Sequence, residues 1–465
     1  MEKGRKLGLL SLIAIVIGSM IGGGVFNLVS DLAGGASAGA VMIGWLITGI
    51  GIISLALCFQ NLTNKQPDLK GGIYSYAKAG FGNYWGFNSA WGYWLSAWLG
   101  NIAFLTLLFS GIGYFFPIFD GANVTSIIGA SILLWLLHFI ILRGVHSAAL
   151  VNLVVTIGKL VPIFLFIILT ILAFKLNTFS IDFWGENSFS ISDVLSQTKS
   201  TMLVTLWVFI GVEGAMVISS RAKNMKDVGK STIIGLLSTL VIYILISFLS
   251  YGVMSQSHLA GLKSPSMAYV LEEVVGPWGA AVVNLGLIVS LLGALLGWTL
   301  LAAELSYITA KDNILPKMFA KENKNHAPVN ALIVTNVLVQ LFLLTLLVSE
   351  KPYNFAFSLA SSAILIPYLF SAMYQIKTSI KLKETKQIVL GIIAAIYGIW
   401  LLYAAGLSYL LLTSLLYAFG IIAFRIAQKE RGEKTFKPFE LVWAILFVLL
   451  AILAIVMMIL GKISF

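Results

Sequence analysis

Residues 17–26 read IGSMIGGGVF, so three successive glycines (Gly22, Gly23, Gly24) interrupt an apolar segment extending over about 7–33. Glycine costs about 1 kcal/mol relative to alanine inside a helix, and three in a row should end one. The flanks LGLLSLIAIVIGS and VFNLV nonetheless have the composition of a membrane span. In hydrocarbon every backbone N–H and C=O has to be paired, so a break survives only where it is buried in protein or lines a cavity. Two readings follow. Gly18 and Gly22 form a GxxxG pattern, which means close helix packing, or the bare backbone is there to be touched by a ligand.

The surrounding composition makes the membrane reading secure. The chain has 465 residues, 59% hydrophobic and 11% charged, with mean hydropathy +0.96, against about 25% charged in ordinary soluble domains. Runs long enough to cross about 30 Å of hydrocarbon recur throughout. The gaps between charges predict about 13 spans: 7–33, 38–59, 84–114, 124–142, 149–173, 202–219, 231–254, 278–309, 331–348, 354–375, 388–404, 407–424 and 439–461. The fold class is an all-α polytopic membrane protein. The first run is too long, and followed by too many others, to read as a signal peptide. Connections 174–201 and 310–330 are too short to fold alone, so no soluble domain is expected. The single cysteine, Cys58, excludes an intrachain disulfide.

A net charge of +11 raises the question of nucleic acid. With MEKGRK placed in the cytoplasm and the sides alternating, most Lys and Arg fall on the cytoplasmic side. Arg221, Lys223, Lys226 and Lys230 share one loop, and Lys377, Lys381, Lys383 and Lys386 another. Lys175, Lys199, Lys263, Lys351 and Lys462 fall outside. This is the positive-inside bias; it predicts an external C-terminus and makes nucleic acid unnecessary as a partner. The bilayer is the expected surrounding.

A second interruption, WVFIGVEGA at 207–215, lies five spans after the first. Glycine-interrupted spans at corresponding positions of two halves point to the binding site of an inverted-repeat transporter. The chain then reads as one transmembrane domain over 1–465, with repeat one at about 7–173, repeat two at about 202–375 and additional helices at about 388–461. Freed N–H groups and the positive end of a half-helix suit a carboxylate; freed carbonyls suit an ammonium group.

Charges inside apolar runs are candidates by default. Glu213, in the second break, could attract a cation, carry a proton, or brace the break through hydrogen bonds. Lys159 either occupies a cation site between the repeats or snorkels to the interface. Glu304 falls near a span end, where a loop lysine would pair with it. His138 reads as packed, and His146, His258 and His326 are scattered, so no metal set is expected. Many tryptophans read as interfacial belt residues. Trp207 and Trp298 sit instead beside small residues in mid-span, where an indole would attract a cation by about 0.5–2 kcal/mol. No HExxH, P-loop or nucleophile elbow is present, so an enzyme is not expected.

Four motifs, IGSMIGGGVF, GGIYSYAKAGFG, TLWVFIGVEGA and GWTLLAAELSYITAKDNILP, resemble the amino acid–polyamine–organocation superfamily. Within it the chain is most similar to the basic amino acid/polyamine antiporters. FNSAWGYWLSAWLGNIA, SSRAKNMKDVGKST and VMSQSHLAGLKSPSMA narrow the likeness to members that exchange arginine for ornithine. The resemblance implies a 5+5 inverted-repeat fold with discontinuous helices one and six. Gly22, Gly23 and Gly24 would take the substrate carboxylate, with Met20 just before them; the family often has serine where this chain has Gly23. Trp207 and Ile210 would offer carbonyls to the α-amino group, Trp298 would stack on a guanidinium, and Ser96, Ala97 and Asn101 would lie near the substrate side chain. Glu213 matches the acidic residue of span six. Lys159 resembles a lysine that fills the sodium position in sodium-independent relatives.

The expected function is alternating-access antiport in a bacterial inner membrane, external arginine for internal ornithine, one for one and electroneutral. It needs no cofactor, and the likeness admits a homodimer. The alternatives are another cationic pair (lysine/cadaverine, arginine/agmatine, histidine/histamine) or a proton-coupled cationic amino acid symporter using Glu213 or Lys159 for coupling. A non-transporting sensor and a channel are further and weaker readings.

Overall fold

The computed structural model describes residues 8–69, 71–144, 148–185, 189–214, 222–349, 351–434 and 436–463. Arg221 and His146 lie outside these. The described residues are almost wholly helical, the form hydrocarbon imposes because a helix pairs its own backbone. In chain order the helices are α1 (Leu9–Met20), α2 (Gly24–Ala33), α3 (Ala38–Lys65), α4 (Ile73–Phe81), α5 (Asn83–Phe115), α6 (Val124–Leu142), α7 (Ala148–Ala173), α8 (Leu176–Ser180) and α9 (Ile191–Trp207). They continue with α10 (Met225–Val253), α11 (Gln256–Ala260), α12 (Ser266–Val275), α13 (Pro277–Lys311), α14 (Val329–Thr345), α15 (Pro352–Leu382), α16 (Thr385–Lys429) and α17 (Pro438–Ile459).

Among the described residues, 9 helices are long and apolar enough to cross a membrane, or 10 with the bent pair α1 and α2 taken as one. The expected 13 is therefore not reached on these criteria. The shortfall has local causes. α7 passes only as a shorter apolar helix over 158–173. α9 stops at Trp207, and its first turns carry polar residues such as Asp193 and Gln197. α16 runs through two of the expected spans with a kink at Gly406, between the predicted 388–404 and 407–424. Large apolar side chains such as Ile132, Leu136 and Phe139 of α6 stay exposed, as a lipid-facing surface requires. This is a multi-pass membrane protein.

Two compact units form, neither of them a continuous stretch of chain. Unit 1 holds Met1–Ala56, Phe104–Ala130 and Ser147–Leu295; unit 2 holds Leu57–Ala103, Ser131–His146 and Leu296–Phe465. Each takes segments from both expected repeats.

In unit 1 small residues let helices approach closely, as the packing reading of glycine requires. A Cβ added to Gly158 of α7 would come within 2.5 Å of Val289, and one on Gly293 of α13 within 2.5 Å of Val155. In unit 2 the core is aromatic. Phe87, Trp91, Trp94 and Trp98 follow one another along α5 with ring centroids 5.6, 4.9 and 6.4 Å apart. Trp94 Nε1 donates to Thr335 Oγ1 at 2.9 Å and Trp91 Nε1 to the Leu416 carbonyl at 3.1 Å. These indoles are buried, so the belt reading fails for them; Trp278 and Trp443 are exposed. His138 packs in the same unit, 3.1 Å from Asn336 Nδ2.

One local device occurs twice. The short helices α4 and α12 each end at a glycine of positive φ, Gly82 (101°) and Gly276 (84°), followed at once by the long helices α5 and α13. Each glycine N–H bonds back to a carbonyl four residues earlier, Lys78 at 2.9 Å and Glu272 at 2.7 Å. Only glycine takes that conformation freely.

Candidate substrate site

α1 ends at Met20 and α2 begins at Gly24, bent by 45°, so the break falls on Ile21, Gly22 and Gly23 with Gly24 opening the second half-helix. The second break starts at the end of α9. From Val208 to Val212 the chain runs in turns, Phe209 N–H bonding to Leu206 O and Val212 N–H to Phe209 O at 3.0 and 3.1 Å. Both interruptions belong to unit 1.

The two breaks touch. Ser19 Oγ donates to the Gly211 carbonyl at 2.7 Å, and Gly211 has φ +107°. A Cβ at Gly24 would lie 2.8 Å from Trp207 Cδ1 and 2.9 Å from its Nε1. Alanine at 24 would therefore need Trp207 to move, which is the steric reason for the third glycine. The Trp207 ring packs 5.4 Å from that of Phe104 on α5. Phe104 also covers the first break, with ring atoms 3.1 and 3.3 Å from where Cβ atoms of Gly22 and Gly23 would stand.

Lys159 does not snorkel. Its side chain is 3% exposed, and Nζ donates to the carbonyls of Gly18 at 2.9 Å and Ile21 at 3.0 Å. These are carbonyls that the end of α1 leaves unpaired. A fixed ammonium thus replaces the intrahelical partners that the break removes. Gly22 O accepts from Ser290 Oγ at 3.4 Å, and Met20 Sδ from Thr239 Oγ1 at 3.6 Å. Ile210 and Glu213 are buried, at 5% and 1% exposure.

The remaining predicted residues lie in unit 2. Ser96, Ala97 and Asn101 are buried on α5, and Trp298 is buried on α13. Asn101 Nδ2 donates to Thr299 Oγ1 at 3.1 Å, joining α5 to α13 one residue from Trp298. Ser96 Oγ and Asn101 Oδ1 are buried with no hydrogen-bond partner among the described residues. An orphaned buried polar atom costs about 1–3 kcal/mol; the amide oxygen can only accept, and the hydroxyl can donate or accept. A guanidinium offers five donors in one plane.

A second group in unit 2 is built from two of the quoted motifs. Tyr74 of GGIYSYAKAGFG donates to Asp312 Oδ2 at 2.7 Å, and Lys78 Nζ to the Asp312 carbonyl at 3.2 Å. Burial first, then the hydrogen bond to Asp312, push the Tyr74 phenol well above its ordinary pKa, so it stays a donor. The motif spacing gave no sign of this pairing. Nor did it single out Phe104, one phenylalanine among 29, or Thr299. Among the described residues no group of three His, Cys, Asp or Glu could hold a metal.

The amino acid permease profile matches residues 7–420. This chain belongs to the amino acid permease family. An arginine/ornithine antiporter of Pseudomonas aeruginosa is 50% identical over 454 residues, covering 94% of this permease and 94% of the relative. An arginine/ornithine antiporter of Latilactobacillus sakei is 48% identical over 467 residues, covering 99% and 98%. An arginine/agmatine antiporter of Chlamydia abortus is 42% identical over 450 residues, covering 94% and 93%. In this permease the glycine break, its buried lysine and the facing tryptophan therefore sit in a transporter scaffold.

Proposed function

We propose that the protein exchanges external arginine for internal ornithine, one for one, by alternating access. The observation that carries this reading is the near full-length similarity, at 50% and 48% identity, to two relatives named arginine/ornithine antiporter. The geometry supports it. At the Gly22–Gly24 break the Gly22 N–H is bonded to Met20 O at 2.9 Å, so the N–H groups of Gly23 and Gly24 suit the carboxylate, with Met20 beside them, and the carbonyls of Trp207 and Ile210 suit the α-ammonium group. Glu213 supplies the carboxylate that favours a cationic substrate. From the resemblance alone, Ser96, Ala97 and Asn101 would lie near a substrate side chain and Trp298 would stack on a guanidinium. Lys159 holds the cation position by itself, so no metal ion is required there.

The reading carries a topology: 13 spans in a bacterial inner membrane, N-terminus in the cytoplasm and C-terminus outside, with repeats at about 7–173 and 202–375 and additional helices at about 388–461. The recurrence of the α4–Gly82–α5 device as α12–Gly276–α13 supports the repeat boundaries. A homodimer belongs to the same reading.

Arginine and ornithine both carry one positive charge at neutral pH, so their exchange moves no net charge. Counterflow in proteoliposomes tests this. Labelled arginine should enter vesicles loaded with ornithine, regardless of an imposed potential, and should not enter empty ones. The 42% identical arginine/agmatine antiporter favours a second reading, exchange with a doubly charged amine. That exchange is electrogenic, and an imposed potential would change its rate.

A further inference from the structure

The Ser19 hydroxyl has two acceptors within reach and one proton. Val16 O, on its own helix, lies at 2.9 Å, and Gly211 O, in the second break, at 2.7 Å. The bond to Val16 is the local i−3 type that serine makes in any helix. The bond to Gly211 crosses 192 positions of chain and joins the two interruptions. Everything about the second break fits close contact with this residue. A Cβ on Gly211 would stand 2.8 Å from the Ser19 carbonyl oxygen, and one on Gly214 would stand 2.6 Å from Ser19 Oγ. Glycine at both positions therefore lets the two breaks meet at the hydroxyl. The end of α1 that carries Ser19 is also held by Lys159, through Gly18 O and Ile21 O.

We propose that Ser19 is a positioning residue, a two-position latch between the breaks that restrains the unloaded carrier from changing sides. The inference rests on the exchange reading above. An obligate exchanger has to suppress the return of its empty form, and substrate has to lift that restraint. In this arrangement the Ser19–Gly211 bond pins the end of α1 to the second break. When bound substrate draws the two breaks into new positions, the hydroxyl turns back to Val16 O, so the proton never lacks an acceptor. Release leaves the Gly211 carbonyl without this donor, a cost of about 1–3 kcal/mol that bound substrate has to offset. Lys159 lacks this second position: its two acceptors, Gly18 O and Ile21 O, sit on the same segment.

The test uses full-length protein in proteoliposomes and two fluxes per variant. One is arginine/ornithine counterflow; the other is net ornithine efflux into substrate-free medium. Ser19→Ala removes the hydroxyl and leaves a better helix former, so the helix itself is not weakened. The ratio of net efflux to counterflow should rise about ten-fold, the factor that about 1.4 kcal/mol represents. Ser290→Ala is the control. It removes a hydroxyl that also bonds the first break, at Gly22 O, without reaching the second, and its flux ratio should equal the wild type. An unchanged ratio in Ser19→Ala, or the same rise in both variants, overturns the latch. High net efflux from the wild type would overturn the exchange reading itself, whatever Ser19 does.

Discussion

The ammonium of Lys159 lies 2.9 Å from the carbonyl oxygen of Gly18, at the point where the first half-helix gives out. The end of α1 is thereby completed by a side chain from a helix 141 positions away. Lys159→Met keeps the apolar stem and removes the charge, leaving two buried carbonyls without a donor. At about 1–3 kcal/mol for an unsatisfied group, exchange should fall at least ten-fold and the thermal midpoint of purified protein should drop. Wild-type counterflow from Lys159→Met would show that the ammonium only fills space.

Gly23 and Gly24 should differ under the same substitution. A Cβ on Gly24 meets Trp207 and Val208 within 2.9 Å, and Trp207 is itself packed against Phe104. A Cβ on Gly23 meets the ends of Leu291 and Leu107 at 2.8 and 3.1 Å, and leucine tips move easily. Overpacking costs about 1–3 kcal/mol where neighbours cannot give, so Gly24→Ala should lose about ten-fold or more in counterflow. Gly23→Ala should retain most of its activity. Equal losses would mean that contact with Trp207 does not matter.

Trp298→Leu separates stacking from general packing. Arginine presents a flat guanidinium and ornithine a compact ammonium, and an aromatic face favours the former through stacking as well as charge. Apparent affinity for arginine should fall about ten-fold, near the upper end of a cation–π contribution of about 0.5–2 kcal/mol, and that for ornithine by less. Competition of each amino acid against labelled arginine reads the two separately. Matching losses would remove the stacking role.

Tyr74 and Asp312 invite a double-mutant cycle. Tyr74→Phe and Asp312→Asn each disturb the 2.7 Å bond, worth about 1 kcal/mol, more with a charged acceptor. Thermal stability of the two single variants and the double variant should show coupling of about that size rather than additive losses. Because burial and Asp312 both raise the phenol pKa, the coupling should persist unchanged from pH 7 to pH 9.

Comparison with these contacts shows what sequence could reveal. Both interruptions are readable, because clustered glycines inside apolar runs mark either a break or a close helix approach in hydrocarbon. The end of α1 at Met20 and the end of α9 at Trp207 fall where the glycine-bearing stretches begin. Lys159 was ambiguous for a geometric reason: hydropathy says how deep a residue lies along a span, not which way a long side chain turns. Phe104 was invisible, since phenylalanine in an apolar helix carries no signal beyond burial. The short helices α4 and α12, 9 and 10 residues long, fall below the length of a crossing and so leave no span signal in the sequence. Ser19 stood in the quoted stretch itself, yet its partner is 192 positions away and only folding brings them together.

A cation bound by covalent attachment has no concentration on either side of the membrane. Lys159 stays with the protein at every turnover, so under the proposed exchange it is not carried across the membrane as a dissolved metal cation would be. For an exchange of equally charged substrates the sole driving force is then their two concentration ratios. A ten-fold ornithine ratio supports a ten-fold arginine ratio, about 1.4 kcal/mol, and no more. Under the proposed exchange this sets a thermodynamic ceiling: arginine would accumulate only as far as the opposing ornithine ratio allows.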